Sequence, residues 1–309
     1  MELAERVQPI STPQRRATSN KQLVGLLGKV GIYTVATIGV VIFIAPWAWM
    51  VSASFQPLGD IFDWPPNWVP ENFTLNNYTR FIETAGVGRL FLNSTFVAGT
   101  LTVLQLFFNS LAAYTFAKRR FPGRDVLFII LLGTMMIPGQ VTLIPAYLIL
   151  QHIPLFGGND IFGQGGHGWL DSYWGLIVPA LSSIYGIFLL RQYMKSIPDE
   201  LLDAARIDGA SEFRIYAQVV LPLSGPALAA MGIFTFTYFW NDFFWPLIIN
   251  SDPDLRTLPV GLALFVVKNR TVWDLVMAGS VIATLPILVI FLLFQRYFIR
   301  GIALTGMKG

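Results

Sequence analysis

Residues 203–222 read DAARIDGASEFRIYAQVVLP and interrupt a chain that is otherwise long, uncharged and apolar. The segment carries three carboxylates, two arginines and a glycine. From Asp199 to Arg214 there are seven charged residues. Each costs about 2.5–3.5 kcal/mol at the centre of a spanning helix, so inserting them together costs roughly 20 kcal/mol. The segment therefore lies outside the hydrocarbon layer.

Its local signals favour order. Ser196 is a capping residue, and Pro198 suits the first position of a helix, where its missing N–H costs least. Asp199 and Glu200 suit the positive end of the helix dipole. At 100° per residue Leu201, Leu202, Ala204 and Ala205 share one face, and Asp199, Asp203 and Arg206 the other. Gly209 is the residue that turns left-handed and stops the helix. Ser211 caps a second helix with Glu212 in its first turn and Phe213, Tyr216, Ala217 and Val220 on one face. Leu221-Pro222 ends this helix and opens the next span. The pattern over 196–222 predicts a short helix, a glycine hinge and a short helix beneath a membrane.

The flanks supply the membrane. The chain has 309 residues, of which 54% are hydrophobic and 13% charged, and its mean hydropathy is +0.58. These values place it outside the range of soluble domains. Stretches free of Asp, Glu, Lys and Arg run over Val30–Leu58, Leu90–Ala117, Val126–Asn159, Ser172–Leu190, Ile215–Asn241 and Leu275–Gln295. Each supplies the ~20 residues a helix needs to cross ~30 Å of hydrocarbon. In lipid, runs of this length must be helical to satisfy their own backbone. Six spanning helices are expected, with prolines such as Pro138, Pro179 and Pro226 kinking them and neighbours satisfying the freed carbonyls. The predicted organisation is a polar tail at 1–29, a first span at 30–54, a loop at 55–89, a core at 90–300 with five spans and the 196–222 loop, and a tail at 301–309.

Six spans put both termini on one side. Of the 21 Lys and Arg residues, sixteen fall on that side, among them Lys118, Arg119, Arg120, Arg124, Arg191, Lys195, Arg206 and Arg214. The other face has Arg80, Arg89, Arg256, Lys268 and Arg270. The positive-inside rule makes the richer side cytoplasmic, together with both termini and 196–222. This asymmetry accounts for the net charge of +3 without a nucleic-acid partner. The glycine-rich stretch GGNDIFGQGGHGW, at 157–169, reads as a mobile loop on the opposite side.

Enzymatic chemistry has little to work with. There is no cysteine, which excludes disulfides and thiolate sites. No HExxH or GxSxG motif occurs. GLLGKV at Gly25–Val30 has the wrong spacing for a phosphate loop, and valine stands where a hydroxyl must reach magnesium. No cofactor is expected on this chain. An ion-coupled carrier needs ionisable groups near the bilayer midplane, and Asp242 alone lies inside an apolar run. Counting twenty residues from Pro222 puts it ~30 Å across, at the outer surface. Its neighbourhood, YFWNDFFW at Tyr238–Trp245, supports two readings. One is an interfacial aromatic belt. The other is a sugar contact through Tyr238, Trp240, Asn241 and Asp242, since aromatic faces stack on sugar rings and the polar pair bonds hydroxyls.

DAARIDGASEFRIYAQVVLPL also resembles the EAA loop of bacterial binding-protein-dependent ABC importers, of the general form EAA–two residues–DGA…LP. FNSLAAYTFAKRRFPGRD, MMIPGQVTLIPAYLIL, FLLRQYMKSIPDELLDAA, WNDFFWPLI and LPILVIFLLFQRYFIRGIALTGMKG agree with this over roughly Leu90–Gly309. Together they are similar to carbohydrate permeases of the maltose-permease class. The resemblance implies an all-α, type I importer permease in the bacterial inner membrane. Its 196–222 loop would be a coupling helix seated in a separate, dimeric ATPase that holds ATP and magnesium. A second, homologous permease subunit and an extracytoplasmic sugar-binding protein would complete the importer, embedded in membrane lipid and working by alternating access. By position Asp203 takes the place of the motif's glutamate, Ala204 and Ala205 the alanines, Asp208 and Gly209 the DG, and Leu221 and Pro222 the LP. Asp203 is one methylene shorter than that glutamate. An ATPase-independent sugar carrier or facilitator is the main alternative, and a membrane scaffold without transport of its own is a third.

Overall fold

The computed structural model describes the backbone of residues 17–266 and 271–306, and the side chains of 26–84, 86–266 and 271–295. All regular structure among these residues is helical. Compactness divides the chain at Ser52/Ala53. The described residues of the first unit belong to helix α1 (Ala17–Ala53), 37 residues long with Pro46 inside it. Its apolar part, Leu26–Ala53, is ~42 Å long at 1.5 Å per residue, enough to cross a bilayer with tilt. Of the expected tail at 1–29, residues 17–29 are therefore helical, and the rest lies outside the described residues. At the other end 301–306 continue a helix, and 307–309 lie outside.

The second unit holds α2 (Asn76–Ala85), α3 (Val87–Lys118), α4 (Arg124–Thr134), α5 (Gly139–Gln151), α6 (Tyr173–Ile177), α7 (Ile184–Lys195), α8 (Asp199–Ile207) and α9 (Glu212–Ile215). A π-helical turn at Tyr216–Val220 leads into α10 (Leu221–Leu223), followed by α11 (Gly225–Trp240), α12 (Phe244–Ile249), α13 (Leu258–Ala263) and α14 (Trp273–Gly306). Helix α3 is central: it packs on α7 and α11, and α11 packs in turn on α14.

Three helices are each long and apolar enough to span: α1, α3 and α14. The other expected spans are bent pairs. The third breaks into α4 and α5, which meet at 96°. Pro138, extended at the start of α5, cannot donate to the preceding turn. The fourth, α6 with α7, bends by 40° after a 3-10 turn containing Pro179. In the fifth, Glu212–Leu223 meets α11 at 79°. Counting each bent pair as one span gives six.

That fifth break corrects the expected boundary. Leu221-Pro222 does not end the second rod, which runs through Leu223. A π turn, in which Leu221 N–H bonds Tyr216 O, precedes Pro222 and lets the helix take in a residue without an N–H. The bend falls at Ser224 (φ −84°, ψ 5°), and the helix restarts at Gly225 with Pro226 in the first turn of α11, where a missing N–H costs least. The charge-free run 215–241 thus overstates the length of α11, because its first nine residues belong to the rod before the bend. Helix α11 itself is 16 residues, ~24 Å long.

Lipid gives helices no hydrophobic reason to associate, so packing and buried hydrogen bonds must hold this bundle. A polar stripe on α3 supplies them. Asn93, 3% exposed, donates to Asp254 O and Arg256 O at 2.8 Å each and accepts from Tyr173 OH at 2.7 Å. Ser94 Oγ accepts from Leu258 N–H at 2.8 Å. Gln105 donates to Ala180 O at 2.6 Å, and Asn109 Oδ1 accepts from Ser182 Oγ and Ser183 N–H. The last two residues satisfy backbone freed at the α6–α7 break, as a kink buried in protein requires.

The glycine-rich loop at 151–172 is built by close contact. A Cβ on Gly168 would strike Leu150 O and Gln151 O. Asn159 bonds Gln151 O, Ile153 O and Gly166 N–H. Its glycines allow backbone to lie on backbone, so the expectation of a mobile loop is replaced by a tied one.

Candidate functional site

The 196–222 segment folds as two rods joined by a left-handed elbow. Asp199 and Glu200 occupy the first turn of α8. The expected Ser196 cap is absent: its hydroxyl donates back to Tyr193 O at 2.7 Å, closing α7, and Pro198 stands at the N-cap of α8. Gly209 has φ +78°. Gly209 N–H bonds Arg206 O and Ala210 N–H bonds Ala205 O, both at 3.0 Å, the paired closure that satisfies the last carbonyls of α8. Ser211 Oγ then accepts from Arg214 N–H at 3.4 Å, starting α9.

Leu202, Ile215, Tyr216 and Val220 are buried with Ala113 and Tyr114 of α3 and Leu190 and Met194 of α7. Ala205 and Leu221 are half-buried, whereas Asp203, Ala204, Asp208, Gly209 and Pro222 are exposed. Only one edge of each expected apolar face faces the bundle. Leu201 stays 46% exposed and Phe213 63%, and Ile207 is 87% exposed. Leu201, Ile207 and Phe213 are thus three apolar side chains of the elbow that the described residues leave largely uncovered.

Ion pairs fix the elbow. Arg206 donates to Asp203 Oδ1 at 2.6 Å and to Glu212 Oε1 at 3.0 Å. Glu212 also accepts from Tyr114 OH at 2.6 Å and pairs with Arg119. Partial burial raises the Glu212 pKa, but the bonds from Tyr114 and Arg206 and the charges of Arg119 and Arg206 outweigh it and hold the carboxyl below its ordinary range. Lys118 reaches Asp199 Oδ1 at 2.6 Å and Ile197 O at 2.5 Å; its hydrogen bond lowers the Asp199 pKa.

The aromatic cluster sits at the far end of α11. Trp240 is 1% exposed. Its indole N–H donates to Ala283 O at 2.8 Å, and its ring lies 5.4 Å from Phe91 and 5.5 Å from Phe236. Trp240 is a core residue joining α11 to α3 and α14. Tyr238 and Asn241, one helical turn apart, are exposed, and Asn241 donates to Thr237 O. Asp242 is half-buried and accepts from Trp245 N–H at 3.4 Å, at the start of α12. The structure does not bring this cluster near the elbow: α11 separates them by ~24 Å.

Residues 105–304 match the family described as binding-protein-dependent transport system inner membrane component. The chain belongs to this family. The match runs from within α3 to within α14, with the elbow and the aromatic cluster inside it, so this permease is a multi-pass membrane component of a transport system and not an enzyme. Among similar proteins, the arabinooligosaccharides transport system permease protein of Halalkalibacterium halodurans is 35% identical over 84% of this chain and 89% of its own. A probable ABC transporter permease protein of Bacillus subtilis is 32% identical over 98% of this chain and 97% of its own. The sn-glycerol-3-phosphate transport system permease protein of Yersinia pestis is 34% identical over 86% and 92%. In fold, the permease matches a chain from the crystal structure of a bacterial ABC transporter that imports the acidic polysaccharide alginate, with a TM-score of 0.75 at 22% identity, covering 93% of this chain and all of that one. Among the described residues no group of three or more His, Cys, Asp or Glu is placed to hold a metal.

Proposed function

We propose that this permease is one transmembrane subunit of an ATP-driven importer of sugars or related polyols. Its 196–222 elbow lies in the cytoplasm, with both termini, and docks into a separate ATPase that carries ATP and magnesium. A second permease subunit and an extracytoplasmic sugar-binding protein complete the assembly. The carrying observation is the elbow: a charged, ordered lever tied to α3, with Leu201, Ile207 and Phe213 left exposed among the described residues. In this reading Ala204, Asp208 and Gly209 lie against the ATPase with those side chains, and Asp203 serves the elbow through Arg206. Ala205, Leu221 and Pro222 shape the rods. ATP draws the ATPase subunits together, the elbow moves, and the bundle alternates between outward and inward openings. Force enters because the partner grips the elbow in both states and displaces it. At the other end of α11, Tyr238, Asn241 and Asp242 contact the solute, with Trp240 holding them from behind.

The test is purification of the tagged permease with its associated subunits in a mild detergent, then reconstitution with binding protein and a panel of arabino-oligosaccharides, other oligosaccharides and sn-glycerol-3-phosphate. The reading expects uptake of one solute that requires ATP inside or outside according to orientation. Uptake driven by an ion gradient without ATP overturns it.

A further inference from the structure

We infer that Glu212 is the joint that makes the elbow and α3 move as one body, so that a displacement applied to α8 reaches the spanning bundle. The inference rests on the importer reading and extends it to a residue outside the loop motif. Three separate elements meet on this carboxylate. Arg206 comes from α8, Glu212 itself opens α9, and Tyr114 and Arg119 come from the end of α3, 98 and 93 residues earlier in sequence. One oxygen serves the two arginines and the other the tyrosine.

Without Glu212 the connection is weaker in a specific way. Helices α8 and α9 would be linked by the turn at Asp208–Ala210, whose glycine has no side chain to brace it, and by the apolar cluster that buries Leu202 with Ile215 and Tyr216, with no ion pair between them. Arg206 would keep Asp203, a partner on its own helix, and would no longer tie the two rods. The rod 212–223 would still touch α3 through Tyr216, whose hydroxyl lies 2.8 Å from Ser110 Oγ and whose ring lies 5.6 Å from Tyr114. Lys118 would still hold the start of α8. The rods would therefore stay folded and attached but could swing about the glycine. Glu212 acts as a positioning residue: it touches no solute and sets how far the lever bends under load.

The absence of cysteine makes site-specific labelling straightforward. Paired nitroxides at Glu200→Cys in α8, exposed and outside the docking residues, and Val103→Cys in α3, in the purified assembly with its ATPase, report the elbow–α3 distance by pulsed electron spin resonance. Wild type should give the same distance distribution without nucleotide and after trapping with ATP, magnesium and vanadate. Glu212→Gln and Tyr114→Phe should shift or broaden it by several ångströms on trapping only, while assembly yield and ATP hydrolysis persist and uptake per ATP hydrolysed falls at least threefold. Glu212→Asp should restore part of the coupling. A distribution in the variants that stays as narrow as wild type, or a wild-type distance that already changes on trapping, overturns the inference alone. Loss of assembly in both variants makes the cluster a folding device and also overturns it. Absence of any ATPase from the wild-type preparation overturns the importer reading beneath it.

Discussion

Replacing Gly209 separates backbone shape from bulk. The residue sits at φ +78°, and a Cβ there would meet nothing within 4 Å of its own chain. Any cost inside the permease is therefore conformational. An ordinary L-residue in left-handed helical backbone loses about 1–2 kcal/mol, and a β-branched one more, about 2–3 kcal/mol. Asn loses least, because its short amide is tolerated there. Escape from the strain breaks the bonds of Gly209 N–H and Ala210 N–H to α8, each worth about 0.5–1.5 kcal/mol net, so strain and escape cost similar amounts. At 1.4 kcal/mol per factor of ten, Ala should cut the intact elbow roughly three- to thirtyfold relative to opened forms, and Val more. ATP-dependent uptake, normalised to membrane-inserted protein, should rank Gly, Asn, Ala, Val, with co-purifying ATPase falling in step. Uptake by Gly209→Val equal to wild type refutes the conformational argument. Asn as damaging as Val refutes it differently, by showing that a partner needs the empty space.

Asn93→Ala should destabilise the bundle by about 1–3 kcal/mol, since it removes the side-chain donor to Arg256 O and the acceptor of the Tyr173 hydroxyl, while Asp254 O keeps Arg89 Nε; a detergent melting temperature unchanged from wild type would contradict the polar-stripe account. Trp240→Ala should cost about 3–5 kcal/mol as a core truncation, whereas Asn241→Ala should leave stability alone and change apparent solute affinity; a stability loss without an affinity change at Asn241 returns it to a purely interfacial role. For Glu212 the folded pKa is lowered, so its stabilisation is complete above its ordinary value of 4.5 and is lost as pH falls through the lower folded value. The melting temperature should decline below about pH 4.5, less steeply in Glu212→Gln, and identical profiles would remove the carboxylate from the ledger.

Much of this was readable because it depends on local physics. Seven charges between Asp199 and Arg214 expel the segment from lipid whatever surrounds it, and Gly209 and Ser211 act on backbone within three residues of themselves. The bends were harder. A charge-free run such as 215–241 records that burial in lipid is allowed, not that the chain goes straight, and Pro222 and Pro226 look alike until one is absorbed by a π turn and the other restarts a helix. The Glu212 cluster was hidden because two of its partners, Tyr114 and Arg119, lie over ninety residues away. A signal existed in FNSLAAYTFAKRR: Tyr114 and Lys118 are one helical turn apart, polar, at the end of an apolar helix. The amides of Asn93, Gln105 and Asn109 gave another, since polar groups inside a span need partners. Trp240 stands beside Asn241 in sequence yet faces the core, because successive helical residues point 100° apart.

The most direct measurement is single-cysteine cross-linking from the exposed side of the elbow. With no native cysteine in the chain, Ile207→Cys, 87% exposed as isoleucine, gives one reactive point in intact cells. The account predicts capture of a single polypeptide that mass spectrometry identifies by its phosphate-binding loop, with a yield that changes when cellular ATP is depleted. Adducts only to lipid, with solute uptake that continues without ATP, would contradict it.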